Sequence, residues 1–550
     1  MNTRKIEKTT NSRLFNKGAL ATAVATTMIG SAFATGGNNQ FSLSSNGTVA
    51  DGVSTYTIFS GNQTGGSLGT SNATTDYLLA ANTTLTFASN NTLHYGNIDS
   101  DTTKHITDLA AGTATKPNVI VAGNLTMLGN VGSGNTTGNW TINTGNTLTI
   151  ASNASSNTFN TANISIEQHG TLNLGNATTN GYNRSSTDAL TMQANITMAS
   201  NSTINIGNGT TITGSIVGAS TGQGTVNIVG NFTSGGSFGA VQALGADTIL
   251  SELEQINISK GNTFTLNHNA TATRMDINGT VTASGNITAD VTMGASGVLN
   301  LNNSNTWGDN AAKVVGTIKS GGSGGTAQGT LNINGTFTTQ GAIGQGGKGL
   351  AAINLSNSTW ANGFTTTFAH NVNATTIQIG TATTQNNATL QITAGGTSAG
   401  VNIAVTGNII GGGNATSTDN AAGGIFLVSG NATVNGSIGT SDNILAAIQI
   451  EDGTTLTISG ADRNIYANNI TMKANNNLLA DNATLAFNGT GTTTVNGVIA
   501  GTVGGGEGLI DINTGTVSFK NTVGSASNYI GGIDVADGST MTTSSNIYAN

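Results

Sequence analysis

The fold is decided by a short pattern of which Thr225-Val226-Asn227-Ile228 is one copy. Apolar side chains fall two residues apart with Thr or Asn between them, which is the period of a strand with one buried face. Gly-Asn, Asn-Gly and Gly-Gly pairs bound these segments and favour turns, because Gly and Asn tolerate positive φ angles. The chain is therefore predicted to be all-β. Further copies are Trp140-Thr141-Ile142-Asn143, Thr171-Leu172-Asn173-Leu174, Thr203-Ile204-Asn205-Ile206, Thr330-Leu331-Asn332-Ile333 and Thr455-Leu456-Thr457-Ile458.

The composition favours one long repetitive body over several ordinary domains. The 550 residues include 79 Gly, a single Pro (Pro117) and no Cys, and only 7% are charged, against about 25% in typical soluble domains. Disorder is the alternative, but disordered chains tend to be charged and poor in the β-branched residues that are abundant here. With almost no Pro, nearly every backbone N–H is available for a strand ladder. Without Cys, no disulfide staples the fold.

Residues 1–34 have the three parts of a secretory signal peptide. A basic segment precedes the uncharged apolar stretch from Ala19 to Ile29, and Ala32-Phe33-Ala34 resembles a cleavage site. A transmembrane helix would need about 20 apolar residues, so this stretch is too short to be an anchor. We expect export, cleavage and a mature chain that begins near Thr35. The basic residues are Arg4, Lys5, Lys8, Arg13 and Lys17.

The charge of the mature chain restricts its partners. Cleavage removes five of the 16 basic residues and one of the 24 acidic ones, which leaves a net charge of −12 (11 minus 23). An acidic surface argues against nucleic acid and anionic membranes as partners.

Longer segments of the chain repeat. Gly224–Ile228, followed by Phe238-Gly239, matches Gly329–Ile333, followed by Ile343-Gly344, at an offset of 105 residues. Residues 438–457 match residues 523–542 at an offset of 85. We interpret these matches as modules of about 85–105 residues, each several strands long.

Short strands, Gly and Asn corners, few charges and repeated modules together predict a right-handed parallel β-solenoid over residues 35–550. Each coil would bury Val, Ile and Leu against the next, and Asn and Thr would stack in ladders along the axis. At about twenty residues a coil, the mature region would form roughly 25 coils. A string of small β-sandwiches is the alternative, although the lack of Pro and of buried Trp or Tyr anchors counts against it. Only residues 240–256 have helical spacing, and they are predicted to form a short helix.

Two glycine motifs are interpreted as consequences of composition. Gly-x-Ser-x-Gly occurs five times, but a nucleophile elbow needs one such turn between a strand and a helix. Gly344–Gly349 contains Gly-x-Gly-x-x-Gly, yet no βαβ unit surrounds it and Lys348 is followed by Gly, so it is not predicted to bind a dinucleotide or phosphate. The five Gly-x-Ser-x-Gly copies, predicted to be turns, are residues 65–69, 218–222, 235–239, 321–325 and 396–400.

Histidines and a glycine-rich segment give no predicted metal site. None of the five histidines lies within five residues of another, so no local ligand spacing exists. Gly505-Gly506-Glu507-Gly508 resembles part of a calcium-binding glycine repeat, but Ile510 stands where that repeat has Asp and the motif is not copied in tandem. The histidines are His94, His105, His169, His268 and His370.

The acidic residues give no strong prediction of catalysis. Glu252 and Glu254 are the closest pair; on the predicted helix they would not face each other, whereas on a strand they would share a face as a general acid and base. Five aspartates spread along the chain are interpreted as turn residues: Asp452, Asp462, Asp511, Asp534 and Asp537. We therefore expect no enzyme and predict no catalytic residue, cofactor or metal ligand.

The chain resembles a known family at this level of description. The signal peptide, the Gly/Asn/Thr-rich strands, the absence of Cys and segments such as Ile533-Asp534-Val535-Ala536-Asp537-Gly538-Ser539-Thr540 are similar to autotransporter passenger domains. The likeness is greatest to the rickettsial type of surface cell antigen and covers roughly residues 35–550. It implies a β-solenoid passenger on a Gram-negative surface, native to a chain that also carries an outer-membrane β-barrel. No series of alternating ten-residue strands with aromatic girdles stands in this sequence, which departs from the family's pattern at this point.

Two classes of function remain open. The first is an adhesin or surface antigen, with a host-cell receptor as partner; the second is a structural coat in which neighbouring surface proteins pack side by side. A surface hydrolase is the third and least favoured. Contact with a partner is expected in the long loops near Gly235–Ile256 and Asn305–Gly325, because loops concentrate function.

The last module stops early. Asn546–Asn550 matches Asn464–Asn468, where the earlier copy continues through Ile470-Thr471-Met472 into further strands. We expect the native product to continue past Asn550 into more repeats.

Overall fold

The structure is a computed structural model. It describes residues 118–127, 130–131, 137–150, 156–175, 189–244, 247–302, 314–323, 325–345, 347–356, 363–380, 388–393, 402–412, 423–473, 482–502 and 506–550, together with the backbone of five short strands between 55 and 100. The chain divides into two compact units, Met1–Ala219 and Ser220–Asn550. The predicted signal peptide lies outside the described residues.

Every regular element in the described residues of the first unit is a strand. The first eight are β1 (Thr55–Ile58), β2 (Tyr77–Leu79), β3 (Thr84–Phe87), β4 (Asn91–Leu93), β5 (Ile98–Ser100), β6 (Asn118–Val121), β7 (Leu125–Met127) and β8 (Thr137–Ile142). The next seven are β9 (Thr147–Ile150), β10 (Ser156–Ile166), β11 (Thr171–Leu174), β12 (Ala189–Met198), β13 (Thr203–Ile206), β14 (Thr210–Thr213) and β15 (Ile216–Gly218).

The second unit is likewise built of strands alone where it is described. Its first ten are β16 (Thr225–Ile228), β17 (Phe232–Ser234), β18 (Ala240–Leu244), β19 (Asp247–Ser251), β20 (Leu253–Ile258), β21 (Thr263–Leu266), β22 (Ala270–Ile277), β23 (Thr280–Ala283), β24 (Ile287–Met293) and β25 (Val298–Asn302). The next ten are β26 (Val314–Val315), β27 (Ile318–Ser320), β28 (Thr330–Asn334), β29 (Phe337–Thr338), β30 (Leu350–Leu355), β31 (Phe364–Phe368), β32 (Val372–Ile379), β33 (Ala388–Ile392), β34 (Ile403–Gly411) and β35 (Ile425–Val428). The last ten are β36 (Ala432–Asn435), β37 (Leu445–Ile450), β38 (Thr455–Ser459), β39 (Asn464–Met472), β40 (Thr484–Asn488), β41 (Thr492–Gly501), β42 (Leu509–Ile512), β43 (Thr516–Phe519), β44 (Gly532–Val535) and β45 (Thr540–Thr543).

The first unit stacks its strands in parallel around a buried apolar core. Strand β11 pairs in parallel with β9 on one side and β13 on the other, so that Leu172 lies between Leu148 and Ile204. Trp140 is fully buried, and its ring meets that of Phe159 edge-on at 4.9 Å between centroids. The indole N–H donates to Thr137 Oγ1 at 3.0 Å, which satisfies the one polar group of that side chain. A buried aromatic anchor therefore exists, but inside a solenoid and not in a sandwich.

Apart from the β18–β19 hairpin, the described strands of the second unit form three stacks of parallel strands, which confirms the predicted parallel β-solenoid. The first stack passes through Val226, Ile256, Met275, Val291, Ile318 and Ile343. The second passes through Phe232, Phe264, Val281, Leu299 and Leu331. The third begins at Phe238, Ala270, Ile287 and Val314. All of these side chains are buried at 3% exposure or less, so each coil covers the core of the one before it.

The coils differ widely in length. Side chains that bond between neighbouring coils are 18 residues apart from Thr282 to Asn300, 32 from Asn300 to Asn332, and 22 from Asn332 to Asn354. The expectation of about twenty residues a coil is therefore too uniform, because the turns absorb insertions while the strands keep their register.

The repeat of 105 residues does not contain a whole number of coils. Val226 belongs to the first stack, but Leu331, its counterpart 105 residues later, belongs to the second. Phe238 belongs to the third stack, and its counterpart Ile343 pairs with Ile318 of the first. The repeat thus moves each strand onto the next face. The interchangeable unit is one strand with its turn, because all three faces require the same alternation of buried and outward side chains.

The predicted helix over residues 240–256 is wrong. Strands β18 and β19 form an antiparallel hairpin, unlike the parallel pairs around them, and β20 follows in the first stack. Leu253, Ile256 and Ile258 are completely buried in β20. Apolar residues spaced by three and then two positions are compatible with a helix or a strand. Pairing with the neighbouring coil stabilises the strand here.

Glycine corners allow the chain to turn between stacks. In the recurring Gly-x-Ile segments Gly316-Thr317-Ile318 and Gly407-Asn408-Ile409, both glycines have φ 127°. A Cβ at Gly407 would overlap the carbonyl oxygen of Ala374 in the preceding coil. The position therefore requires glycine both for its φ angle and for the close approach of two backbones.

Candidate ligand groove

The described glycine motifs lie largely in turns, as predicted. Residues 219–222, 235–237 and 321–323 follow strands as turns, bends or irregular segments, whereas Gly218 ends β15 and Phe238 forms an isolated bridge with Ala270; the copies at 65–69 and 396–400 lie outside the described residues. Residues 344–349 likewise connect β29 to β30, with Lys348 exposed. No helix follows any of these turns in the described part of the chain, so none has the geometry of a nucleophile elbow.

Glu252 of the acid pair and Glu507 of the glycine-rich segment both accept hydrogen bonds from nearby residues. Glu252 precedes β20 and accepts a hydrogen bond from Thr273 Oγ1 at 3.3 Å, while Glu254 is exposed. Glu507 is only 3% exposed; its Oε2 accepts from the backbone N–H of Thr502 at 3.0 Å and from the Thr502 hydroxyl at 3.2 Å. The Glu507 carboxylate therefore closes its own turn.

Two of the aspartates predicted in turns lie in strands instead. Asp511 is in β42 and Asp534 in β44, and the two are partners in the parallel register. Asp511 stands on the outward side between the buried Ile510 and Ile512, and this alternation, not the Asp itself, fixes the strand. Asp452, Asp462 and Asp537 do lie in turns or bends.

The described histidines do not gather with acids into a metal cluster. Within the described residues, no three His, Asp or Glu side chains lie close enough to hold an ion together. His94 and His105 fall outside those residues. The same part of the chain contains no helix long and apolar enough to cross a bilayer.

A polar groove runs along the second stack of the second unit. It has a volume of about 360 Å³ and crosses four successive coils. We call it the amide groove, because carboxamide side chains dominate its wall. Its lining residues are Asn300, Asn332, Asn334, Asn354, Ser356, Gln378 and Gly380.

The strands position these side chains in two columns. Asn300, Asn332, Asn354 and Gln378 are register partners in β25, β28, β30 and β32, two residues before a second column of Asn302, Asn334, Ser356 and Gly380. Their neighbours in sequence point inward; Leu331 and Ile333 are 0% and 1% exposed. Alternation in each strand therefore points the amides outward and their aliphatic neighbours into the core.

The amides bond to each other from coil to coil, which confirms the predicted ladders. Asn332 donates to Asn300 Oδ1 at 2.7 Å, and Asn354 donates to Asn332 Oδ1 at 2.8 Å. In the second column, Asn334 donates to Asn302 Oδ1 at 2.8 Å. The Ser356 hydroxyl donates to Asn334 Oδ1 at 2.9 Å. An amide has two N–H groups and two acceptor lone pairs, so each Asn within the ladder retains one of each.

The ladder of hydrogen bonds in the first column, Asn300 to Asn332 to Asn354, does not continue to Gln378. Gln378 Nε2 donates to the carbonyl oxygen of Gly380 at 3.2 Å and not to Asn354. Among the described residues, Asn354 Oδ1 and Gln378 Oε1 consequently accept no hydrogen bond. The half-buried end of the groove thus offers two unused acceptors beside the unused N–H groups of the ladder.

The groove has no charged side chain in its wall. Its chemistry is limited to directional hydrogen bonding in both senses, with donors and acceptors repeating from coil to coil. The strand signal Thr330-Leu331-Asn332-Ile333 is visible in the sequence. The alignment of Asn300, Asn332 and Asn354 in one column depends on coil lengths that the sequence does not reveal.

The fold and the groove define the class as a nearly uncharged parallel β-solenoid with outward amide ladders. Comparison with known proteins finds no matching protein family, curated protein or solved structure.

Proposed function

We propose that this chain is exported and acts on the bacterial surface as an adhesin or surface antigen of the autotransporter passenger kind. The amide groove carries this proposal. It places donors and acceptors that the fold does not use on strands whose register is fixed by a packed core, and such pre-organisation lowers the entropy cost of binding. The proposed partner is a receptor on a host cell.

The β18–β19 hairpin adds support as a second contact element. Its two ends are adjacent, because Ala240 and Ser251 are partners in the antiparallel pair. A hairpin whose two ends are adjacent in the coil can vary in sequence without disturbing the stacked strands.

Cell adherence tests the proposal directly. Beads coated with residues 35–550 should adhere to cultured host cells, and beads coated with a variant in which residues 241–250 are replaced by Gly-Gly should adhere less. The variant retains the coil because its ends already meet. Equal adherence of the chain and of a heat-unfolded sample would contradict the proposal.

A structural coat is the second candidate. The outward positions of the described strands are largely Thr and Asn, so neighbouring molecules would approach without strong charge repulsion. This candidate expects purified protein to form regular lateral arrays in electron micrographs and to show no saturable binding to cells.

A further inference from the structure

We propose that the amide groove binds a neutral polysaccharide chain lying along the axis of the second unit. This inference names the ligand class of the proposed adhesin and so rests on that function.

The hydrogen-bonding pattern of the wall indicates the chemistry of the ligand. Sugar hydroxyls donate and accept at the same atom, and the unused groups of Asn332 and Asn334 are one donor and one acceptor each. Asn354 Oδ1 and Gln378 Oε1 add two more unused acceptors at the end of the ladder. A surface of this kind satisfies a hydroxyl-rich ligand without requiring any single orientation of its hydroxyl protons.

The electrostatics of the groove select a neutral ligand. No Lys or Arg stands in the wall to neutralise sulfate, phosphate or carboxylate groups, and no Asp or Glu stands there to attract a cation. An anionic glycan would lose hydration in the groove without gaining an ion pair.

The dimensions select a chain over a single sugar. Three intervals between four coils, at about 4.8 Å each, give a groove of about 14 Å. Its volume of about 360 Å³ lies near the lower end of ordinary ligand pockets. Because the amides repeat along the axis, a polymer with a repeating pattern of hydroxyls makes the same contacts several times, and weak contacts sum into useful avidity.

A peptide is a poorer fit. Extended peptides gain affinity by pairing with a free strand edge and specificity from side-chain pockets. The strands β25, β28, β30 and β32 are already paired to their neighbours across the groove, and the wall has no apolar pocket.

The test is calorimetric titration of the full chain with neutral linear hexasaccharides of glucose and mannose. Heparin and an uncharged extended peptide serve as competing ligand classes. Asn332→Leu removes the ladder bonds to Asn300 and Asn354, and Gln378→Met removes the amide of Gln378 at nearly constant size. Asn173→Leu is the matched control, since Asn173 also donates to one side chain and accepts from another, Thr149 and Asn205, but lies in the first unit outside the groove.

We expect at least one neutral hexasaccharide to bind, and both groove variants to weaken it about five- to tenfold, the effect of losing one net hydrogen bond. Asn173→Leu should stay within about twofold of the parent. Because the Gln378 side chain bonds only within its own strand, to Gly380, Gln378→Met breaks no bond between coils and separates a binding effect from a folding defect in Asn332→Leu.

Other results would overturn the inference. These are binding of heparin or peptide in preference to the neutral sugars, no binding of any hexasaccharide, or hexasaccharide binding that is unchanged in both groove variants. Cell adherence of the same samples separates the two proposals. Adherence by a chain that binds no hexasaccharide refutes the groove and leaves the adhesin, whereas sugar binding by a chain that does not adhere to cells supports the groove and refutes the adhesin.

Discussion

Asp511 and Asp534 occupy the same register position in consecutive coils, so two carboxylates stack on one outward face. Burial raises the pKa of Asp511 above its ordinary value of 3.8, and the negative charge of Asp534 raises it further. Amides at equivalent positions of neighbouring coils bond to each other, whereas two carboxylates at such positions repel each other.

Asp511→Asn is expected to stabilise the protein at pH 7. An acid whose pKa is raised by folding costs stability above the folded pKa, and the cost disappears as the pH falls through that pKa toward the ordinary value of 3.8. The midpoint of the thermal transition, followed by circular dichroism, should rise at pH 7 and match the parent at pH 3. Asp537→Asn, in an exposed turn, is the control and should change neither value.

Asp290→Asn is expected to do the opposite. The backbone N–H of Thr317 donates to Asp290 Oδ1 at 3.0 Å and its hydroxyl donates at 2.8 Å, and the first of these bonds is the main reason that the pKa of Asp290 lies below 3.8. A depressed pKa contributes stability above the ordinary value that is lost as the pH falls through the folded pKa. The variant should therefore melt earlier than the parent at pH 7, with a difference that shrinks in acid. A larger deficit in acid than at pH 7 would contradict the assignment.

Ile228→Asp and Ile333→Asp are expected to destabilise their coils by about 3 kcal/mol or more, because each buries an unpaired charge. Both side chains are confined, at 0% and 1% exposure. Val229→Asp is the matched control: the adjacent side chain is 37% exposed and should tolerate the charge. Thermal unfolding and limited proteolysis measure the effect, and equal loss in all three variants would mean that the face assignment of β16 is wrong.

Gly407→Ala is expected to cost more than about 3 kcal/mol, since the new Cβ overlaps the Ala374 carbonyl in addition to straining φ. Gly261→Ala provides the comparison. That glycine also has positive φ, 81°, but nothing lies within 4 Å of an added Cβ, so only the conformational strain of roughly 1 kcal/mol applies. Thermal midpoints of the two variants should differ clearly, and similar midpoints would show that the corner relaxes.

Export is expected to leave a mature N-terminus at or near Thr35. The reason is the order of basic segment, apolar stretch and Ala32-Phe33-Ala34. Mass spectrometry of protein extracted from the cell surface measures the terminus. Surface protein that retains Met1 would rule out cleavage.

Strands are predictable from the sequence where a period of two and bounding Gly or Asn occur, because both are local properties. Examples are Thr171–Leu174, Thr225–Ile228 and Thr330–Ile333. Residues 240–256 were mistaken for a helix, because a short apolar run satisfies both periods and only pairing with a neighbour decides. The glycine corners are marked in the sequence by a recurring Gly-x-Ile, as in Gly316–Ile318 and Gly407–Ile409. The strand pattern alone does not single out these segments as corners.

The sequence alone determined the all-β class, the inward and outward faces of the strands, and the presence of Asn where ladders form. It did so because alternation is written in adjacent residues. Only the tertiary structure decided which side chains meet: Asn300 with Asn332 across 32 residues, Asn332 with Asn354 across 22. The lengths of the turns set that register. Strands that are equivalent in the repeat of 105 residues even lie in different stacks. A groove of aligned amides and a stack of two aspartates are therefore products of coil length, which no local pattern encodes.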